Sequence, residues 1–283
     1  MNSLESRARI HFPSVIGKSE DELKSIIKEI DNYYREWLEQ KVNKVTGKPK
    51  TYQDGTIKQR AIRPSKSILK VIQTQIKDRI LNHIELPDNV HGGIKKRSNI
   101  TNAKPHQGKK YILTTDLQDF YPSIKANRVY KAFCDLGFNT QFAYYITRLT
   151  TWKGELPQGT PTSTHISNIV FLETDYKLIE LCRNNDITYT RYIDDLTFSS
   201  QTDFQDKISD ILNIITQSGL KLSRRKTFYK GSQTITGINV FFNKIDAPDK
   251  ILEKVKEETT FGDGVLKPYT NYRNNIIRTN RKK

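Results

Sequence analysis

Two adjacent carboxylates, Asp194 and Asp195, interrupt ITYTRYIDDLTFSS, residues 187–200, a run of β-branched and aromatic residues that otherwise reads as extended chain. The flanks TYTRY and LTFS read as two strands joined by a tight connection, with both aspartates at the turn. Local turn chemistry accounts for one aspartate. It does not account for two, because adjacent like charges beside a buried hairpin repel and lose solvation unless a cation or proton compensates them. A divalent ion compensates them well: Mg²⁺ takes carboxylate oxygens at one or two positions and leaves the rest to water and substrate phosphates. A third carboxylate is then required, and Asp116 is the candidate because it ends the β-rich run YILTTD. With that strand beside the hairpin, Asp116 and Asp194 are expected to face one another, the arrangement that holds two metals about 4 Å apart for in-line phosphoryl displacement. Asp119 is the alternative, read instead as a surface or capping residue.

The elements that position these residues follow from periodicity. Residues 20–44 recur apolar at helical spacing with opposite charges four apart, Glu20 with Lys24 and Asp31 with Arg35, and predict an N-terminal helix. Residues 65–84 carry Ile68, Leu69, Ile72, Ile76, Ile80 and Ile84 on one stripe and predict a second helix starting just after Pro64. A Gly- and Lys-rich connection, 91–110, leads to a strand over Tyr111–Thr115. One or two helices are expected over 125–150, broken near Gly137, and a buried helix over 166–181 after the loop GELPQGTPTST. Beyond the hairpin come an amphipathic helix within 203–219, the basic run GLKLSRRKTFYK, a strand-like QTITGINVFF, a helix over 249–259 and a basic, weakly periodic ending. Helices mixed with strand pairs in non-alternating order predict an α+β fold.

With 283 residues the chain can bury a large core, and 47 Lys and Arg against 31 Asp and Glu leave a net charge of +16. A polyanionic partner is expected, nucleic acid before an acidic membrane surface, because the charge is spread along the chain. No window approaches the roughly 18 apolar residues that cross a bilayer, and the N-terminus lacks a signal-peptide core, so a cytoplasmic protein with no membrane partner is expected. Cys134 and Cys182, outside CxxC spacing, are read as small buried hydrophobes.

DLQDFYPSI, LPQGTPTS and YIDD, in that order and with Asp194 78 positions after Asp116, resemble the palm of a reverse transcriptase. The finer resemblance is to the bacterial retron reverse transcriptases. NAKPH at 102–106 is similar to their NAxxH element, ITG at 235–237 to their VTG element, and TRYIDDLTFS to their TRYADDLTFS; RAIRPSKSILKVIQ and HGGIKKRS are similar to their fingers segments. Ile193 stands where alanine is usual, Thr164 where proline is common and Gly93 where an aromatic is common. The resemblance implies a right-hand polymerase: an N-terminal helical region over 1–48, fingers over 49–110, a palm with inserted fingers elements over 111–245, and a short or divergent thumb, or a basic tail, over 246–283.

It also implies roles for single residues. Asp116 and Asp194 are the principal ligands of two Mg²⁺, with Mn²⁺ a substitute; Asp195 contacts metal or holds the primer end, and the Leu117 carbonyl adds an oxygen. Tyr121 is the aromatic that excludes a ribose 2′-OH. Gln158 and Gly159 touch nucleotide and template, and Arg60, Lys66 and Lys226 reach phosphates, Lys226 with a possible part in leaving-group departure. Asn102 and His106 organise a loop or contact RNA. Arg224, Arg225 and Lys226 with Arg273, Arg278, Arg281, Lys282 and Lys283 form a basic footprint for RNA, and Tyr269 and Tyr272 beside them stack on unpaired bases or pack as a helix face. Ile193 is expected to touch the primer end. The implied activity is RNA-directed DNA synthesis from deoxynucleoside triphosphates on a cognate structured non-coding RNA. Its product is RNA-linked multicopy single-stranded DNA passing through an RNA–DNA hybrid, in anti-phage defence with an effector protein. Two rival readings are a group II intron-like or other defence-associated reverse transcriptase, and a non-catalytic structured-RNA binding protein that keeps the polymerase shape.

Overall fold

Ser19 opens the helix Glu20–Lys28 with a reciprocal cap: its hydroxyl accepts the Glu22 N–H at 3.2 Å while the Glu22 carboxylate accepts the Ser19 N–H at 2.8 Å. The expected Glu20–Lys24 pair forms at 3.2 Å. In the computed structural model, which describes residues 7–42, 47–52, 54–231, 233–262 and 264–280, this helix is shorter than the 20–44 periodicity predicts. Ile30–Tyr33 tighten into a 3₁₀ turn, Trp37–Gln40 form strand β1, and residues 43 and 44 lie outside the described residues. Tertiary contacts override the helical pattern: Asp31 accepts the Trp152 indole N–H at 2.6 Å, and Tyr34 stacks on that indole with ring centres 4.8 Å apart.

The chain divides into two compact units, each built from two stretches: Met1–Leu86 with Asp119–Leu172, and Pro87–Gln118 with Glu173–Lys283. In the first, β1 pairs antiparallel with β2, Gln59–Ile62, beside a helical core. The helix Ser67–Arg79 buries Leu69, Ile72 and Ile76, and the stripe ends in a 3₁₀ turn at Leu81–His83, short of the expected residue 84. Residues 125–150 form two helices, Ala126–Asp135 and Thr140–Thr150, parted at Gly137, which takes φ of +87°. The single buried helix expected over 166–181 is two, Ser163–Val170 and Leu172–Arg183, broken at Phe171.

The second unit holds two antiparallel sheets. Strands β3 (Tyr111–Asp116), β4 (Thr188–Tyr192), β5 (Asp195–Ser200) and β6 (Phe228–Lys230) lie in the order β4-β5-β3-β6. Strands β7 (Gln233–Ile235), β8 (Ile238–Val240) and β9 (Ile245–Asp246) form a meander. The basic ending is helical over Pro268–Arg278, and Ile276 from it packs with Ile235, Ile238, Val240 and Ile245 in one apolar cluster. Glu258, at the end of the helix Asp249–Glu258, caps that last helix by accepting the N–H groups of Tyr269 and Thr270 at 2.9 and 2.7 Å. The architecture is therefore α+β, with helices around small antiparallel sheets. Among the described residues no helix is long and apolar enough to cross a membrane. Cys182 is buried and Cys134 half-buried, and both are free thiols.

Candidate metal centre

Strand register brings the three carboxylates together. Pairing of β3 with β5 sets Asp116 directly opposite Asp195, and pairing of β4 with β5 sets Tyr192 opposite Asp195, which leaves Ile193 and Asp194 as a two-residue turn. Asp195 is thus the first residue of β5, and the residue facing Asp116 across the ladder is Asp195 where Asp194 was expected. The Leu117 N–H donates to the Asp194 carbonyl at 2.9 Å and ties the turn to the end of β3. One oxygen from each of Asp116, Asp194 and Asp195 lies within 4.8 Å of the others.

Like charges directly opposite on a ladder repel. Burial, with Asp194 and Asp116 beside it, pushes the Asp195 carboxyl up to about 7, so the cluster holds a proton near neutrality unless a cation takes its place. One cation is already built in: the Lys226 ammonium donates to Asp116 at 2.6 Å. Partial burial pulls the Lys226 pKa down, but Asp116 outweighs it and the net shift is upward. Three hard oxygen donors, crowded and short of positive charge, are the donor set that fits a divalent ion such as Mg²⁺.

Behind the turn sits a device that sequence reading missed. Arg191 and Asp175 are both wholly buried, and the guanidinium donates to the two carboxylate oxygens of Asp175 at 2.9 and 2.6 Å and to the Ile193 carbonyl at 2.8 Å. Burial disfavours the charge on Arg191, but Asp175 more than offsets it and the pKa stands above the ordinary value. The signal was present: an arginine inside an apolar strand demands a buried carboxylate, and Asp175 interrupts the apolar 166–181 segment.

Other expected site residues divide between the two units. In the second, Asn102 and His106 are wholly buried. The His106 ring is held by Ser199 and Thr190 hydroxyls at 2.6 and 2.8 Å, while Asn102 donates to the Thr236 hydroxyl at 3.3 Å; NAKPH and ITG are therefore one interlocked structure. Arg224 and Arg225 are exposed, as are Tyr269 and Arg278. Tyr272 instead packs on the apolar cluster and accepts Asn99 Nδ2 at 2.7 Å, and Arg273 pairs with Asp246 at 3.2 Å. Residues 281–283 lie outside the described residues.

In the first unit, the Gln158 carbonyl accepts the Arg63 N–H at 2.7 Å, and Gly159, with φ of +106°, lets the loop approach Ile62, whose Cγ2 would lie 3.3 Å from an added Cβ. Arg63 itself pairs with Glu155 and Glu36. Tyr121 and Thr164 share a hydroxyl–hydroxyl bond of 3.0 Å. Arg60 pairs with Glu39 and is exposed; Lys66, half-buried, precedes the helix Ser67–Arg79. Asp119, paired with Lys41 at 3.2 Å, is the surface residue expected.

A family model described as reverse transcriptase (RNA-dependent DNA polymerase) matches residues 47–240. The chain is 34% identical over 182 residues to the retron Ec86 reverse transcriptase of Escherichia coli, covering 62% of this chain and 57% of that protein. It is 30% identical over 226 residues to the retron Se72 reverse transcriptase of Salmonella heidelberg (strain 579083-10), covering 78% and 56%. To the retron Mx65 reverse transcriptase of Myxococcus xanthus it is 30% identical over 204 residues, covering 64% and 48%. The chain thus spans about half the length of the curated relatives it matches.

Proposed function

The chain belongs to the retron-type reverse transcriptase family, and from that premise we propose that it is an RNA-directed DNA polymerase that copies a cognate structured non-coding RNA into RNA-linked, multicopy single-stranded DNA. The observation that carries this reading is the meeting of Asp116, Asp194 and Asp195 within 4.8 Å at the ends of adjacent strands, a donor set made for hard divalent ions.

Asp116 and Asp194 would hold two Mg²⁺, with Mn²⁺ able to substitute; Asp195 contacts metal or holds the primer end, and the Leu117 carbonyl adds an oxygen. Bound there, the ions would supply the Lewis acidity that activates a primer hydroxyl and neutralises departing pyrophosphate. Lys226, resting on Asp116, is placed to follow that negative charge. Tyr121 excludes a ribose 2′-OH and so selects deoxynucleoside triphosphates; Gln158 and Gly159 contact nucleotide and template, and Arg60 and Lys66 the triphosphate. Exposed Arg224, Arg225, Tyr269 and Arg278 suit the RNA and the RNA–DNA hybrid. In this reading the second unit's four-stranded sheet is the palm, β2 belongs to the fingers over 49–110 with β1 joining it from the N-terminal region, and the two last helices are a reduced thumb. The biological setting is cytoplasmic anti-phage defence with an effector protein.

The test is co-expression of the chain with its upstream flanking DNA, and analysis for single-stranded DNA covalently linked to RNA. That product is expected with the unsubstituted chain and absent from one carrying Asp194→Asn and Asp195→Asn. Its persistence in the variant would sink the metal assignment.

A further inference from the structure

A two-residue hairpin turn with φ positive only at its first central residue follows the II′ pattern, in which glycine is the rule at that place. Here the place is held by Ile193, at φ of +60°. A β-branched side chain in the left-handed region is strained, and such a residue keeps its conformation only where its surroundings over-determine it.

Three features over-determine Ile193. Its carbonyl accepts Arg191 Nη1 at 2.8 Å, and Arg191 is held in turn by both oxygens of Asp175. Tyr189, two residues earlier on β4, donates its hydroxyl to Asp175 at 2.7 Å, so the carboxylate is gripped from the strand on both sides of Thr190. The backbone of Arg191 is pinned as well: its N–H donates to the Asn89 carbonyl and its carbonyl accepts the His91 N–H, each at 2.8 Å. That pairing lays Gly92 against the turn, where an added Cβ would overlap both the backbone N and Cγ1 of Ile193. Gly92 is therefore the residue that leaves space for the isoleucine.

We propose that the buried Arg191–Asp175 pair, with Gly92, positions the metal-binding aspartates by holding the Ile193–Asp194 turn in its left-handed conformation; this deepens the polymerase reading and rests on it. Asp194 follows the clamped carbonyl directly, so the direction of its carboxylate depends on the backbone of Ile193, and the same turn delivers the chain to Asp195, which the strand register seats opposite Asp116. Arg191, Asp175 and Gly92 are positioning residues: they act through the turn. The guanidinium is suited to this as no ammonium is, since its planar fork serves a carboxylate in bidentate fashion while a further N–H reaches the carbonyl.

The test uses the full chain with an RNA template annealed to a DNA primer, deoxynucleoside triphosphates and Mg²⁺. In parallel, Mn²⁺ alone is titrated into the protein and followed by its paramagnetic resonance signal. Arg191→Lys keeps the charge and loses the fork; it is expected to lower kcat by about 100-fold, to change the nucleotide KM by less than about 3-fold and to weaken Mn²⁺ binding by about 10-fold. Ile193→Gly removes the strain that the clamp opposes, so in that background the same Arg191→Lys change should cost less than about 5-fold in kcat. Equal losses in the two backgrounds overturn the proposal, as does a folded Arg191→Lys chain with unaltered kcat and Mn²⁺ affinity. Should Arg191→Lys fail to fold, Gly92→Ala carries the same readouts, because it leaves the ion pair intact and presses on the turn alone; unchanged kcat and Mn²⁺ affinity then overturn it. An unsubstituted chain that binds Mn²⁺ but never extends the primer sinks the polymerase reading instead. The positioning proposal is then decided by whether Arg191→Lys, or Gly92→Ala in its place, weakens that Mn²⁺ binding.

Discussion

Asp195 and Asp116 oppose one another across β3 and β5, and the repulsion is relieved by Lys226 on one side and, in the proposed function, by metal on the other. Single residues elsewhere show the same economy of purpose. Thr164 occupies a place where the retron resemblance makes proline common, and its hydroxyl meets that of Tyr121 at 3.0 Å, a bond no proline can make. If Tyr121 is the ring that excludes a 2′-OH, Thr164 helps to hold it in place. Thr164→Val, which keeps the shape and deletes the bond, is expected to lower the preference for deoxy- over ribonucleotides by about 5-fold, the worth of one neutral hydrogen bond. The ratio of kcat/KM for the two nucleotide classes checks this, with Tyr121→Ala losing more. An unchanged ratio in both variants would remove Tyr121 from sugar selection.

At the scale of elements, NAKPH acts as a strut. His106 ties Thr190 on β4 to Ser199 on β5, and Asn102 reaches Thr236 in the turn between β7 and β8, so one short segment locks the β4–β5 hairpin to the β7–β8 hairpin. Burial pushes the His106 imidazole down to about 3, far below the usual histidine range. The folded state therefore keeps this ring neutral while the unfolded chain protonates it below about 6.5, so the stabilisation is whole above that pH and drains away as pH falls toward the folded value. At pH 5 the loss relative to pH 7 from this residue is about 2 kcal/mol. Denaturant unfolding across that range is expected to show a steeper acid decline for the unsubstituted chain than for His106→Gln. Parallel declines would show that the ring does not titrate as its burial requires.

For the molecule as a whole, a net charge of +16 favours a polyanion, and the exposed Arg224 and Arg225 beside Lys226 of the candidate metal centre concentrate part of it. RNA binding is expected to weaken steeply with salt, and Arg224→Gln with Arg225→Gln together should reduce the slope of log affinity against log salt by about 1.4, two single-strand phosphate contacts. A slope unchanged by the pair would place the RNA elsewhere. The charge balance needs no structure to be read, but its distribution does: Arg273, counted by sequence among RNA contacts, is engaged by Asp246, and Tyr272 is packed on the apolar cluster. Side chains of one type in one basic segment thus part into surface and scaffold according to what lies beneath the helix.

Sequence alone singled out the candidate metal ligands of this chain. Adjacent aspartates in an apolar run, a third at the end of another strand and ordered motifs between them pick out a carboxylate set that could hold a divalent ion, because residue type and strand periodicity are local properties. The α+β class and the amphipathic helices were legible for the same reason. Tertiary structure decided what depends on partners distant along the chain. The Trp152 indole takes Asp31 and the helix that begins at Glu20 stops at Lys28; strand register sets Asp195, not Asp194, opposite Asp116; and His106 and Asn102 turn inward. The left-handed Ile193, the Arg191–Asp175 pair and the bare Cα of Gly92 become one device only once partners 16 positions apart (Asp175 and Arg191) and about 100 apart (Gly92 and Ile193) have been brought together, and no local periodicity encodes a contact across such separations.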